Sequence, residues 1–150
     1  MYLVYQTVNP KYKRMLYSIC YVSNSSQYLS LEELKELFDF CTLRNIENNI
    51  SGILLHNSGN FLQYIEGEES KIKELYHFRI KEDIRHKNII TVFEKKIDVL
   101  YFTGYKAGFT SVIEENQTQS LRSYLNLLNY LDSREIEALT KTVNSFLSAS

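Results

Sequence analysis

Apolar positions along the chain alternate between short strand-like runs and longer helical stripes. Met15 to Ser23, MLYSICYVS, is rich in β-formers and mixes apolar with hydroxyl residues, which predicts a strand. Asn24-Ser25-Ser26 ends it, and Ser30 with Glu33 supplies an S-x-x-E capping box. Leu34, Leu37, Phe38 and Cys41 then recur at three and four residues, so a helix with one apolar face should run to about Leu43. Ile50 to Gly67, ISGILLHNSGNFLQYIEG, reads as two strands around a turn at residues 56–60. Glu68 and Glu69 open a second helix, where negative charge suits the dipole, and Ile72, Leu75, Tyr76, Arg79 and Ile80 share one face. Ile89 to Phe93 is a further apolar run, stopped by the charges Glu94-Lys95-Lys96. Tyr101 to Val112 reads as a last strand with Gly104 and Gly108 inside it.

That order, βαββαββ, predicts an α+β sandwich of the ferredoxin-like type. Two more helical stripes follow, Leu121, Tyr124, Leu125, Leu128 and Leu131, then Ile136, Leu139, Val143 and Phe146, with Asp132 and Glu135 as a second capping box. They predict a C-terminal two-helix cap over 117–148 on the sheet face that the first two helices leave free. The chain thus divides into an extension at 1–14, a main domain at 15–112 and that cap.

Gln63 breaks the pattern. It sits inside an apolar strand, where a carboxamide needs partners or costs about 1–3 kcal/mol. Its donor and acceptor ends can exchange places by rotation or tautomerisation, which suits a switch.

Charge narrows the function classes. The 150 residues carry 17 Lys+Arg against 18 Asp+Glu, so neither nucleic acid nor an anionic membrane finds a strongly basic partner. No run reaches the roughly 18 apolar residues of a membrane span, and nothing resembles a signal peptide. The two cysteines, Cys20 and Cys41, lie in apolar runs and read as small core residues in a reducing cytoplasm. No phosphate-binding or dinucleotide glycine loop is present, and the three histidines lack metal-ligand spacing, so the chain reads as a non-enzyme. Twelve tyrosines are more than surface decoration needs; ordinary amphipathic packing accounts for most of them.

Three stretches, YSICYVSNSSQYLSLEELKELF, RNIENNISGILLHNSGNFLQYIEGE and RIKEDIRH, carry Tyr21, Asn45 and Gln63 in a distinctive context. From Tyr17 to about Phe109 the chain resembles the BLUF family, sensors of blue light using flavin. The resemblance implies a redox-active tyrosine at Tyr21, with Tyr17 as the rival, and a switching glutamine at Gln63. It implies that Asn45 bonds the polar edge of a flavin and that Arg44 lies beside the ring. Leu37 and Ile80 would sandwich the ring between the two helices, and Arg79 and Asp83 would lie near the ribityl and phosphate end. In the family's photocycle the tyrosine transiently gives up an electron and a proton, the glutamine rearranges, and flavin absorption shifts slightly red. Each residue also has a plain alternative: Tyr21, Leu37 and Ile80 as core, Asn45 as a helix end, and Arg79 with Asp83 as a surface i,i+4 pair.

Two departures bear on signalling. Where the family often has Trp-Ser-Met, this chain has Tyr105-Lys106-Ala107, so Tyr105 and Ala107 stand at the relay positions and Tyr105 could serve as a second electron donor. A one-residue insertion falls around His77-Phe78 and should bulge the second helix. The resemblance therefore implies a stand-alone blue-light photoreceptor that binds FAD, or alternatively FMN or riboflavin. Its partners would be a downstream signalling protein, reached through the sheet and the C-terminal helices, and a further copy of itself. The alternative is a light-insensitive flavin-binding or protein-interaction module.

Overall fold

The computed structural model describes residues 15–106, 108–112, 115–131 and 133–149, the side chains of 133–135 excepted. The extension at 1–14, Ala107, Asp132 and the Glu135 side chain lie outside the described residues. Strands β1 (Leu16–Ser25), β2 (Ser51–Asn57), β3 (Asn60–Glu68), β4 (His86–Ile97) and β5 (Phe109–Val112) form one sheet in the order β4-β1-β3-β2-β5. The β1–β3, β1–β4 and β2–β3 pairs are antiparallel, and β5 joins β2 in parallel at the edge. This is the expected α+β arrangement.

Helices α1 (Leu31–Glu47) and α2 (Glu69–Glu74) cover one sheet face. Ser30 caps α1, its hydroxyl accepting the Glu33 N–H at 3.1 Å. Leu34 and Phe38 are buried, with Leu37 and Cys41 partly so, as the stripe requires. The helix runs one turn past the expected stop at Leu43, to Glu47, so Arg44 and Asn45 sit inside its last turn.

The second helix carries the expected bulge. From Leu75 to Ile80 the backbone is a π-helical turn, with the Lys81 N–H bonding the Tyr76 carbonyl five residues back at 3.0 Å. A π-turn absorbs one extra residue without ending the helix. It keeps Leu75, Tyr76 and Ile80 buried but leaves Arg79 exposed, off the apolar face to which the spacing assigned it.

Two expected boundaries move. β4 continues through Glu94-Lys95-Lys96 to Ile97, because an edge strand can turn charged side chains to water. The last strand is only Phe109–Val112, and the described residues between 98 and 108 lie outside any strand. A side chain takes over the ladder there: the buried Glu66 carboxylate accepts the N–H groups of Tyr101 and Phe102.

On the other sheet face lies a hairpin of α3 (Glu115–Leu131) and α4 (Ser133–Ser148). Leu121, Leu125, Ile136, Leu139 and Val143 are buried against Cys20, Ile53, Leu55, Leu62 and Tyr64. Each apolar side chain so buried contributes about 1.5–3 kcal/mol. Even-numbered positions of β3 meet this hairpin, and odd-numbered positions, Phe61 and Ile65, meet α1 and α2. The strand period of two thus gives β3 contact with both layers. Among the described residues no helix is long and apolar enough to cross a membrane, and no cluster of His, Cys, Asp and Glu could hold a metal.

Candidate functional site

One row of residues crosses the whole sheet. Thr91, Tyr21, Gln63, Leu54 and Ser111 are successive Cα partners on β4, β1, β3, β2 and β5. The β1–β4 register slips between Cys20 and Tyr21, an irregularity of the kind that re-aims a side chain beside a site. Tyr21, Gln63 and Leu54 form the floor of a cleft walled by Leu37, Cys41 and Arg44 of α1 and by Ile80. Phe61, Asp83, Arg85 and His86 complete it, around ≈ 490 Å³ of free space counted with its open mouth.

The Tyr21 phenol donates to Gln63 Oε1 at 2.5 Å, in the sheet interior. Burial pushes the Tyr21 phenol well above its ordinary value, and Cys41, Tyr76 and Asp83 push the same way. Tyr21 therefore holds its proton as donor at neutral pH. Its ring lies 5.6 Å from that of Tyr76 and 6.0 Å from that of His86. The Tyr76 hydroxyl bonds Thr91, so both ends of the row are tied to helices, Ser111 pairing with Thr42 of α1 at 2.8 Å.

His86 bridges Ser23 Oγ at 2.8 Å and the Ile80 carbonyl at 2.7 Å, so it fixes the end of the π-turn to β1. Asp83 accepts two bonds from Arg85 Nε and one from its Nη2, the shortest 2.6 Å. Burial raises the Asp83 carboxyl, but these bonds outweigh it and hold the group below its usual value. Arg85 and Arg44 both lie over the ring of Phe40, at 5.7 and 5.5 Å.

Two side chains in the last turn of α1 carry buried polar atoms without a hydrogen bond. Asn45 is 1% exposed, and neither its Nδ2 nor its Oδ1 makes a hydrogen bond; Arg44 Nε is likewise buried and unbonded. Unsatisfied buried amides are rare because each costs about 1–3 kcal/mol. A flat ring with a carbonyl and N–H edge fits this donor and acceptor set, and aliphatic Leu37 and Ile80 on facing helices fit its faces.

The structure brings Tyr21, Gln63, Leu37, Arg44, Ile80 and Asp83 to one cleft. Asn45 is buried next in sequence to Arg44 and is not itself among the lining residues. Arg79 is exposed and outside the cleft, and Asp83 pairs with Arg85 rather than with Arg79. Tyr105 is buried in the other layer, its ring stacked on Tyr124 of α3 with centroids 4.4 Å apart. That places it off the cleft, without the contact with Tyr21 that a second electron donor would use. Sequence reasoning overlooked Cys41, Leu54, Phe61, Arg85 and His86 as lining residues. The stretch RIKEDIRH held the signal for the last two.

The sequence profile described as BLUF, sensors of blue-light using FAD, matches residues 16–108, more than half of the chain. The chain belongs to the BLUF family. It is 30% identical over 135 residues to photoactivated adenylate cyclase subunit alpha of Euglena gracilis, a match covering 83% of this chain but 13% of that subunit. The Escherichia coli K12 blue light- and temperature-regulated antirepressor BluF is 33% identical over 76 residues, 51% of this chain and 19% of its own length. Among solved structures, the dark state of the BLUF protein BlrB superposes with a TM-score of 0.63 at 25% identity, covering 92% of this chain and 99% of that one. BLUF domains bind flavin and sense blue light.

Proposed function

We propose that this BLUF domain senses blue light through the Tyr21–Gln63 pair and passes the signal to another protein through the α3–α4 hairpin. The observation that carries the reading is the buried 2.5 Å bond from the Tyr21 phenol to Gln63 Oε1 on the cleft floor. When bound, the isoalloxazine supplies the light absorption and, once excited, an electron-accepting ring. Leu37 and Ile80 would hold it between them, Asn45 and Arg44 would meet its polar edge, and Asp83 would lie toward its tail. Arg79, exposed on the surface, reaches at most the tail. FAD is the proposed flavin, with FMN and riboflavin as the shorter alternatives.

With a flavin in the cleft, Tyr21 would be the electron donor to the excited ring and would release its phenol proton along its bond to Gln63, recovering both as the charge returns. The Gln63 carboxamide is left with its donor and acceptor ends exchanged. Tyr21 begins as a neutral phenol because burial forbids the phenolate, so its proton is present to move. No catalytic role is assigned to any residue of this chain. Ala107 and Tyr105 are proposed for the relay to the hairpin, Tyr105 through its stack on Tyr124. Two free thiols, Cys20 and Cys41, suit a reducing, cytoplasmic setting.

The deciding experiment is the visible spectrum of the purified, FAD-loaded chain before and just after blue light. A flavin band that moves slightly red and recovers in darkness is expected. A band that stays put supports the light-insensitive module instead, and no flavin band removes the site assignment.

A further inference from the structure

Glu66 is a fully buried carboxylate, 0% exposed, on the same strand as Gln63 but on the face toward the hairpin. Four donors converge on it. Ser51 Oγ and the Phe102 N–H reach Oε1 at 2.8 and 2.6 Å, and the Tyr64 hydroxyl and the Tyr101 N–H reach Oε2, both at 3.0 Å. Two of the four are backbone N–H groups of a segment with no strand ladder of its own. The carboxylate therefore takes the place of a neighbouring strand for residues 101 and 102.

That segment is bound to α3 on its other side. The Tyr101 carbonyl accepts the Tyr124 hydroxyl, the Phe102 ring packs on Tyr124 at 5.6 Å, and the Tyr105 hydroxyl meets Ser120 Oγ at 3.0 Å. Hydrogen bonds thus run without a break from β3 through Glu66 and residue 101 to Tyr124. Gln63 sits at the other end of the same stretch of β3, with Tyr64 between, and Tyr64 bonds Glu66 directly. Glu66 thus ties the N–H groups of residues 101 and 102 to the strand that carries Gln63.

We propose that Glu66 is the positioning residue that couples a rearrangement at Gln63 to helix α3, by clamping residues 101 and 102 to the strand that carries the switch. This rests on the light-sensing reading above. Glu66 touches neither the cleft nor a flavin held there; it acts through the backbone of residues 101–102 and through Tyr124.

The test uses the full FAD-loaded chain and two readouts: the light-induced absorption shift, and light-minus-dark hydrogen exchange at residues 98–108 and in α3. The wild-type chain is expected to show both. Glu66→Gln puts an amide nitrogen against N–H donors, so it should keep the absorption shift and lose the light-dependent exchange difference in α3. A purely structural Glu66 would change dark-state protection but leave that light-minus-dark difference in place, which would overturn the proposal. A wild-type chain with the absorption shift but no exchange difference at 101, 102 or α3 also overturns it, and leaves the sensor standing. A wild-type chain with no absorption shift overturns both. Should Glu66→Gln fail to fold, Tyr124→Phe decides: it removes only the hydroxyl on the Tyr101 carbonyl. Loss of the α3 difference with the absorption shift intact supports the coupling, and an unchanged difference refutes it.

Discussion

Tyr21 and Gln63 face each other across adjacent strands, and the phenol of one donates to the carbonyl oxygen of the other at 2.5 Å. Tyr17, four residues earlier on the same strand, packs in the same layer but does not line the cleft. Its ring carries Lys73 Nζ at 4.8 Å instead. Tyr21→Phe and Gln63→Leu should therefore each abolish the light-induced absorption shift, while Tyr17→Phe retains it. Tyr21→Phe leaves the Gln63 oxygen without this donor, so it should also destabilise the fold by about 1–3 kcal/mol. Flash absorption spectra and urea melts of the three variants check both parts. A shift retained in Tyr21→Phe and lost in Tyr17→Phe would move the site four residues along β1.

Asn45 separates binding from folding. Its amide is buried and unbonded, a cost to the flavin-free chain that a flavin edge would remove. Asn45→Leu, close in volume but apolar, should raise the stability of the flavin-free chain by about 1–3 kcal/mol, on the order of 2–12 °C in melting temperature. It should weaken FAD binding by about tenfold or more, which is 1.4 kcal/mol per decade. Thermal melts without FAD and a fluorescence titration with it report the two effects. A variant less stable without FAD would mean that Asn45 serves the core rather than the ligand.

Local patterns gave the elements because burial on this sheet follows the strand period, with β3 buried from Phe61 to Gly67 on both faces. Local pattern and structure part at residues 101–112. Their apolar content reads as one strand, yet only Phe109–Val112 pairs as one, and a side chain remote in sequence, Glu66, accepts the N–H groups of Tyr101 and Phe102; no local window contains that partner. At the site, Tyr21, Asn45 and Gln63 stood out only as a set, since a buried tyrosine or a helix-end asparagine is ordinary alone. Arg79 fell on the apolar face by helical spacing, but the π-turn from Leu75 to Ile80 changes the angular step there and turns it out to solvent.

His56 gives the fold a pH dependence near neutrality. It is half-buried at the end of β2 against Phe61, ring centroids 5.3 Å apart, and burial lowers its pKa from the ordinary 6.5. The unfolded chain then binds that proton more readily than the folded one. Stability from this group is present above the unfolded-state pKa of 6.5 and declines as pH falls below it, through the lower folded-state value. Urea melts between neutral and mildly acidic pH should show the decline, and His56→Gln should flatten it. An equal slope in the variant would assign the proton uptake elsewhere.

Three glycines should rank by the space their backbone leaves. Gly52, at φ +146° on β2, has the Tyr64 carbonyl oxygen 1.9 Å from where a Cβ would stand. The obstacle is backbone of the paired strand, so no rotamer change relieves it, and the Gly52 N–H also holds the Gly108 carbonyl at 3.0 Å. Gly52→Ala must push β2 from β3 beside Leu54 and Gln63 on the cleft floor. It should cost more than the roughly 0.5–3 kcal/mol typical of a single substitution and release flavin. Gly59, at φ +80° in the β2–β3 turn, has nothing within 4 Å of the same position, so Gly59→Ala meets only backbone strain, about 1–2 kcal/mol. Gly104 has neither a left-handed φ nor a close neighbour, and Gly104→Ala should stay within about 0.5 kcal/mol of the parent. Urea midpoints of the three variants give the order directly. If Gly52→Ala were as mild as Gly104→Ala, β2 and β3 would have to pair less closely at Gly52 than the register places them, and the alignment of Leu54 with Gln63 would fall with that pairing.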